Sequence, residues 1–231
     1  MLALDRRDGD VTRGARAMAP WLVGVVPFGL VIGITAAHAD IPAAAGWLTG
    51  PLIFAGSAQV ATIQLLAGGG AAIAVVAAAL AINLRLVLYS ATMAPHWRSL
   101  PRRTQALAAY TLVDPTLAVG VRAYDSSADP AVGHRHYLGA AVTLWLAWVA
   151  AITVGLTVGS ALPRALHLEL VIPLFLAGEV VPRVTNRASA RAVTVAIALA
   201  IVGRWVPLHL GTFVAIAGGI AVAVVTEREA P

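Results

Sequence analysis

The amino-acid sequence predicts an all-α, polytopic membrane protein, one helical bundle over residues 1–231 with about six to eight membrane segments. Three observations predict it. Hydrophobic residues fill 59% of the positions, charged residues only 12%, and the mean hydropathy is +0.83. A soluble domain is about 45–50% apolar and about 25% charged, so this much apolar surface has no place in a water-facing globule. The apolar residues also fall in runs of roughly 17–25, the length an α-helix needs to cross a bilayer with its backbone paired internally. Finally, every basic side chain is arginine, and the arginines gather just outside those runs, which is how helices are oriented in a membrane. The pI near 10.7 therefore reflects topology rather than a nucleic-acid surface.

Six runs read as full spans: Ala17–Ala39, Ala71–Met93, Thr104–Val121, Tyr137–Ser160, Ala188–Trp205 and Leu208–Thr226. Residues 1–16 read as a cytoplasmic tail. Ala37-His38-Ala39 resembles a signal-peptide cleavage site, but the preceding run exceeds the usual apolar length of about 7–15 residues, so a retained first helix is expected. Two further stretches are apolar but broken. Ala43–Gly69 carries Gly46, Gly50, Pro51, Gly56, Ser57, Gln59 and Gln64; Ala165–Val181 carries His167, Glu169, Pro173, Gly178 and Glu179.

Charge decides how the broken stretches run. With the N-terminus in the cytoplasm, a first broken stretch that enters and leaves from outside puts Arg98, Arg102 and Arg103 inside. A second that enters and leaves from inside keeps Arg164, Arg183, Arg187 and Arg191 there. Arg122, Arg135 and Arg204 then fall outside, and both termini are cytoplasmic. Pro51-Leu-Ile-Phe-Ala-Gly56 is echoed by Pro173-Leu-Phe-Leu-Ala-Gly178, each in a broken stretch. Residues 17–122 and 137–226 are thus candidate inverted repeats, whose broken helices would mark a midplane site; two unrelated kinks give the same pattern.

Polar residues inside apolar runs are candidate site residues, because ionisable groups in a bilayer are costly. Arg85 and Asp114 lie in neighbouring spans and are expected either to pair or to handle substrate or protons. Asn83 stands about 200° around the helix from Arg85, so the two share a cleft only if the helix unwinds between them. Pro115 disfavours helical geometry at Asp114. Gly56, Ser57 and Gln59 combine close backbone approach, free N–H groups and side-chain donors and acceptors; close helix packing through small residues is the competing reading. Glu179 reads as an interfacial acid beside Arg183, against a proton-coupling carboxylate. No cofactor or metal site is expected: cysteine is absent, and His134 and His136 form an isolated pair in an exterior loop beside Asp125 and Asp129.

These residues also carry a family pattern. Pro27-Phe28-Gly29 with Gly33 resembles an opening motif. Phe54-Ala55-Gly56-Ser57-Ala58-Gln59 resembles an F-A-G-[AS]-x-Q signature, and Asn83-Leu84-Arg85 with Ala94-Pro95 resembles an N-x-R…A-P segment. Asp114 falls where the family has an acid. Together they resemble the AzlC type of branched-chain amino acid exporter subunit, most closely over Gly24–Asp114. The resemblance implies export of amino acids such as valine, and in some members methionine, across the bacterial inner membrane. It also implies proton coupling and a small AzlD-type membrane subunit as partner. A zwitterion needs donors for its carboxylate, from Gly56–Gln59 or Arg85. It needs acceptors for its ammonium, from Asp114 or free carbonyls, and an apolar pocket, from Phe28 and Phe54.

Two other classes compete. A passive pore with two half-hairpins fits the broken stretches. An intramembrane enzyme does not: no Gly-x-Gly-Asp follows Tyr124-Asp125, and Ser57 has neither a Gly-x-Ser-Gly setting nor a neighbouring His.

Overall fold

The computed structural model describes residues 2–162, 184–203 and 210–228; among the described residues the regular elements are all helices, joined by short turns, without strands. The chain divides into two units, Met1–Glu169 and Leu170–Pro231. In the first, α1 is Leu2–His38, α2 Ala43–Ile53, α3 Gly56–Ala67, α4 Ala72–Asn83, α5 Arg85–Trp97, α6 Arg102–Tyr110, α7 Asp114–Asp125 and α8 Pro130–Ala161. The second holds α9, Arg187–Gly203, packed on α10, Leu210–Arg228. These last two are helices over the stretches expected to span there, within a few residues. The broken stretch Ala165–Val181, with Glu179, and the second candidate repeat that depends on it lie outside the described residues.

Among the described residues, two helices, Gly9–His38 and Pro130–Ala161, are long and apolar enough to cross a membrane; α4 and α5 make a third if taken as one span bent by 46°. The two long helices pack side by side and parallel. Asp10 meets Arg135 at one end, and His38 Nε2 donates to the Gly159 carbonyl at the other (3.0 Å). Glycines make this closeness possible. A Cβ on Gly29 or Gly33 of α1, or on Gly155 or Gly159 of α8, would run into the facing helix. Both pairs are spaced four apart, the small-residue pattern by which membrane helices bring their backbones together.

α2 and α3 form a hairpin beside these helices. Trp47 Nε1 donates to Thr153 Oγ1 (2.9 Å), which fixes α2 against α8. The chain turns at Phe54, in the left-handed region at φ 46°, and at Ala55, which is extended. A Cβ on Gly50 would lie 3.7 Å from Gln59 Nε2, so the limbs come back alongside each other. α4 then packs antiparallel to α3 after a glycine turn in which Gly69 takes φ +70°. The first broken stretch therefore enters and returns at one end of the unit, as expected.

The span expected over Thr104–Val121 is a second hairpin instead. α6 stops at Tyr110, Val113 is extended (φ −139°, ψ 175°), and α7 starts afresh at Asp114. α5 and α7 run parallel: Arg85 meets Asp114, and Trp97 Nε1 donates to Tyr124 Oη (3.1 Å). α7 in turn runs antiparallel to α8, with Tyr124 Oη 3.0 Å from His134 Nδ1. So α6 climbs from the end where α1 begins, and α7 goes back to it. A full-length crossing fails because Thr116 fits the break. Its buried hydroxyl accepts from the Val113 N–H and donates to the Thr111 carbonyl, both at 2.8 Å.

This geometry corrects the charge map as well. Arg122 and Arg135, expected outside, share the end of the unit that holds Arg13, Arg16, Arg98, Arg102 and Arg103. Arg135 donates through Nε (3.0 Å) and Nη2 (2.7 Å) to the buried carboxylate of Asp10, which Arg13 also pairs. The stretch before residue 17 is part of α1 rather than a separate tail. His134 and His136 stand on α8 rather than in a loop, and Asp125 closes α7.

Candidate functional site

The site is built on the two helix breaks and on the bend between α4 and α5. At the first break, the earliest N–H of α3 to reach a helical carbonyl is that of Gln59, on Ala55 (2.8 Å). No side chain caps the helix. The N–H groups of Gly56, Ser57 and Ala58 are thus open donors at the positive end of a twelve-residue helix. Gln59 is fully buried one turn on, and neither its Nε2 nor its Oε1 has a partner. Buried amides are rarely left unpaired, so this one is free to meet a ligand or water.

Phe28 and Phe54 flank this tip. Phe28 leans edge-on against Trp148, 5.8 Å between centroids, and its ring edge occupies the space a Cβ on Gly56 would need. Gly56 is therefore small because Phe28 packs on it, and the packing reading accounts for the glycine. Phe54 is buried and lies 6.1 Å from Tyr110, the last residue of α6. That ring pair is where the two tips meet.

At the second break, Asp114 opens α7, where an acid offsets the positive helix end. Arg85 Nη1 lies 2.8 Å from one carboxylate oxygen and donates to the other at 3.1 Å; Tyr89 Oη also donates to that second oxygen, at 2.7 Å. The Arg85 and Asp114 side chains remain 36% and 48% exposed. A charge pair in this setting belongs against a water-filled cavity or another protein surface, not lipid. The two ends of the dipole differ. The α3 tip offers bare donors, whereas the α7 tip carries an anion held by two donors.

The sequence-predicted residues thus come together in two groups. Phe28, Phe54, Gly56, Ser57 and Gln59 gather at the first tip, and Arg85 with Asp114 at the second. Asn83 stands apart. Its helix ends there, the bend falls at Leu84, and its Oδ1 is buried without a partner, as is Arg85 Nε. The chain bends by 46° between Asn83 and Arg85, but Leu84 keeps right-handed helical backbone (φ −53°, ψ −29°), so the unwinding that a shared cleft requires is not seen there. Sequence reasoning missed Tyr89, Thr116, Tyr110 and Trp145. Only Tyr89 left a signal, since it follows Arg85 by four residues and so lies on the same helix face.

Long apolar helices and two broken hairpins that enter from opposite ends define a multi-pass helical membrane protein. A family model described as AzlC protein matches residues 20–162, more than half of the chain and all of both hairpins. The chain belongs to the AzlC family, a family of membrane transporters rather than enzymes. No curated protein and no solved structure matches it.

Proposed function

We propose that the chain is the large subunit of a secondary transporter that exports branched-chain amino acids, valine-like and in some settings methionine. It works in the bacterial inner membrane, coupled to the proton gradient and joined to a small AzlD-type membrane subunit. The observation that carries this reading is the pairing of unlike tips in a member of the AzlC family. The open N–H groups of Gly56–Ala58, with Gln59 behind them, suit an α-carboxylate. Asp114 suits an α-ammonium, which would compete with Arg85 and Tyr89 for its oxygens. Phe28 and Phe54 supply apolar surface for the side chain. Such a surface separates substrates by only about 1–3 kcal/mol per methylene, so several related amino acids are exported. The positive-inside rule supports putting the arginine-rich end, and with it the N-terminus, in the cytoplasm.

The two opposed hairpins also favour a second reading, a passive pore for a small solute, because half-helices meeting at mid-depth line such pores. Efflux of labelled valine from preloaded cells, with the proton gradient intact and collapsed, separates them. Export against a valine gradient that stops when the proton gradient collapses supports the exporter. Downhill flux indifferent to the proton gradient supports the pore.

A further inference from the structure

Tyr110 makes three contacts that no reading of the site above requires. Its hydroxyl donates to the Pro51 carbonyl of α2, and it accepts from Trp145 Nε1 of α8 at 2.8 Å. Its ring lies against Phe54, tilted by 32°. The Pro51 carbonyl is one of the last in α2, left without a helical N–H by the turn at Phe54. At membrane depth, an unpaired carbonyl finds no water to replace its partner. Tyr110 is not core filling: it is 41% exposed, whereas Phe54 beneath it is 4% exposed. One side chain therefore ties the end of α6 to the turn of the opposite hairpin and to a spanning helix, at the point where both hairpins reverse.

We propose that Tyr110 is a latch between the two hairpin tips, and that releasing it opens the path to the donors at the start of α3. The inference rests on the transporter reading only for its purpose; the latch itself is a matter of access. Tyr110 acts as a positioning residue. Its hydroxyl holds the tips closed, and a solute moves past only when the bond to Pro51 is given up.

The chain has no cysteine, so access to the tip can be read from one introduced thiol. Ser57→Cys places it in the first turn of α3. Its rate of modification by a membrane-impermeant maleimide is measured in intact cells and in inverted vesicles, with Tyr110 and with Tyr110→Phe. The phenylalanine keeps the ring on Phe54 and removes only the hydroxyl. Loss of its bonds should speed labelling from one side by about tenfold. Ser127→Cys, in the loop before α8, should label equally in both backgrounds and reports insertion. An unchanged rate at position 57 overturns the latch. Where Tyr110→Phe fails to insert, Tyr110→Leu, which also removes the hydroxyl that holds the Pro51 carbonyl and keeps an apolar side chain beside Phe54, carries the same test. The readout needs no substrate. With valine efflux measured separately while serine is kept at position 57, faster labelling without efflux overturns the substrate alone, and an unchanged rate with normal efflux overturns the latch alone.

Discussion

Asp114 was legible as a candidate site residue because a carboxylate inside an apolar run demands a partner, and Arg85 was the nearest candidate. Their 2.8 Å contact meets that expectation. Each charge alone in the bilayer would cost about 2.5–3.5 kcal/mol on insertion scales, so losing either partner should reduce inserted protein or transport. Exchanging them, Arg85→Asp with Asp114→Arg, should recover part of what either alanine variant loses in an efflux assay; no recovery would count against the pair. Tyr89 and Thr116 escaped notice because tyrosine and threonine are ordinary in membrane helices. Their roles depend on where the chain bends. Thr116→Val keeps the shape but strips the acceptor from a buried N–H, which costs about 1–3 kcal/mol. Thermal unfolding in detergent should show that loss, and an unchanged midpoint would mean that the Thr116 hydroxyl does not hold the break. Gly56→Leu drives a side chain into the Phe28 ring. It should abolish transport while inserted protein stays near normal, as quantified by blotting of washed membranes.

At the scale of elements, apolar length was readable and direction was not. Ala43–Gly69 announced its break through Gly50, Pro51 and Gly56, and the hairpin is there. Thr104–Val121 has Pro115 as its one warning, and Pro115 sits in the first turn of α7, where proline is well tolerated. The turn itself is made by Thr111, Leu112 and Val113, residues that a hydropathy window counts as membrane-spanning. The long helices were readable as spans but not in relative sense, because glycine spacing predicts close approach without saying whether two helices run parallel. Paired labelling decides both hairpins. Cysteines at Pro42 and Gly70 should react from one face of the membrane. Cysteines at Ser99 and Ser127 should react together from the other. Either pair splitting between faces would refute the hairpin it brackets.

For the first unit as a whole, the corrected directions improve the agreement with the positive-inside rule. Arg13, Arg16, Arg98, Arg102, Arg103, Arg122 and Arg135 stand at one end of Met1–Glu169, whereas the expected full crossing at Thr104–Val121 had sent two of them outside. A spanning helix followed by a hairpin occurs twice between α1 and α7, the second time upside down. This inverted order within one unit was hidden from the sequence, where the visible echo pairs Pro51 with Pro173 instead. Inverted repeats place broken helices at the midplane, where backbone donors and side-chain charges meet a solute from both sides. The most direct test of that account is efflux of preloaded labelled valine from cells carrying the chain with the small partner subunit proposed for it. Wild type is expected to export valine only while the proton gradient stands, and Asp114→Ala, inserted at normal levels, is expected to export none. Full export by Asp114→Ala would contradict the central claim that the second tip handles the substrate.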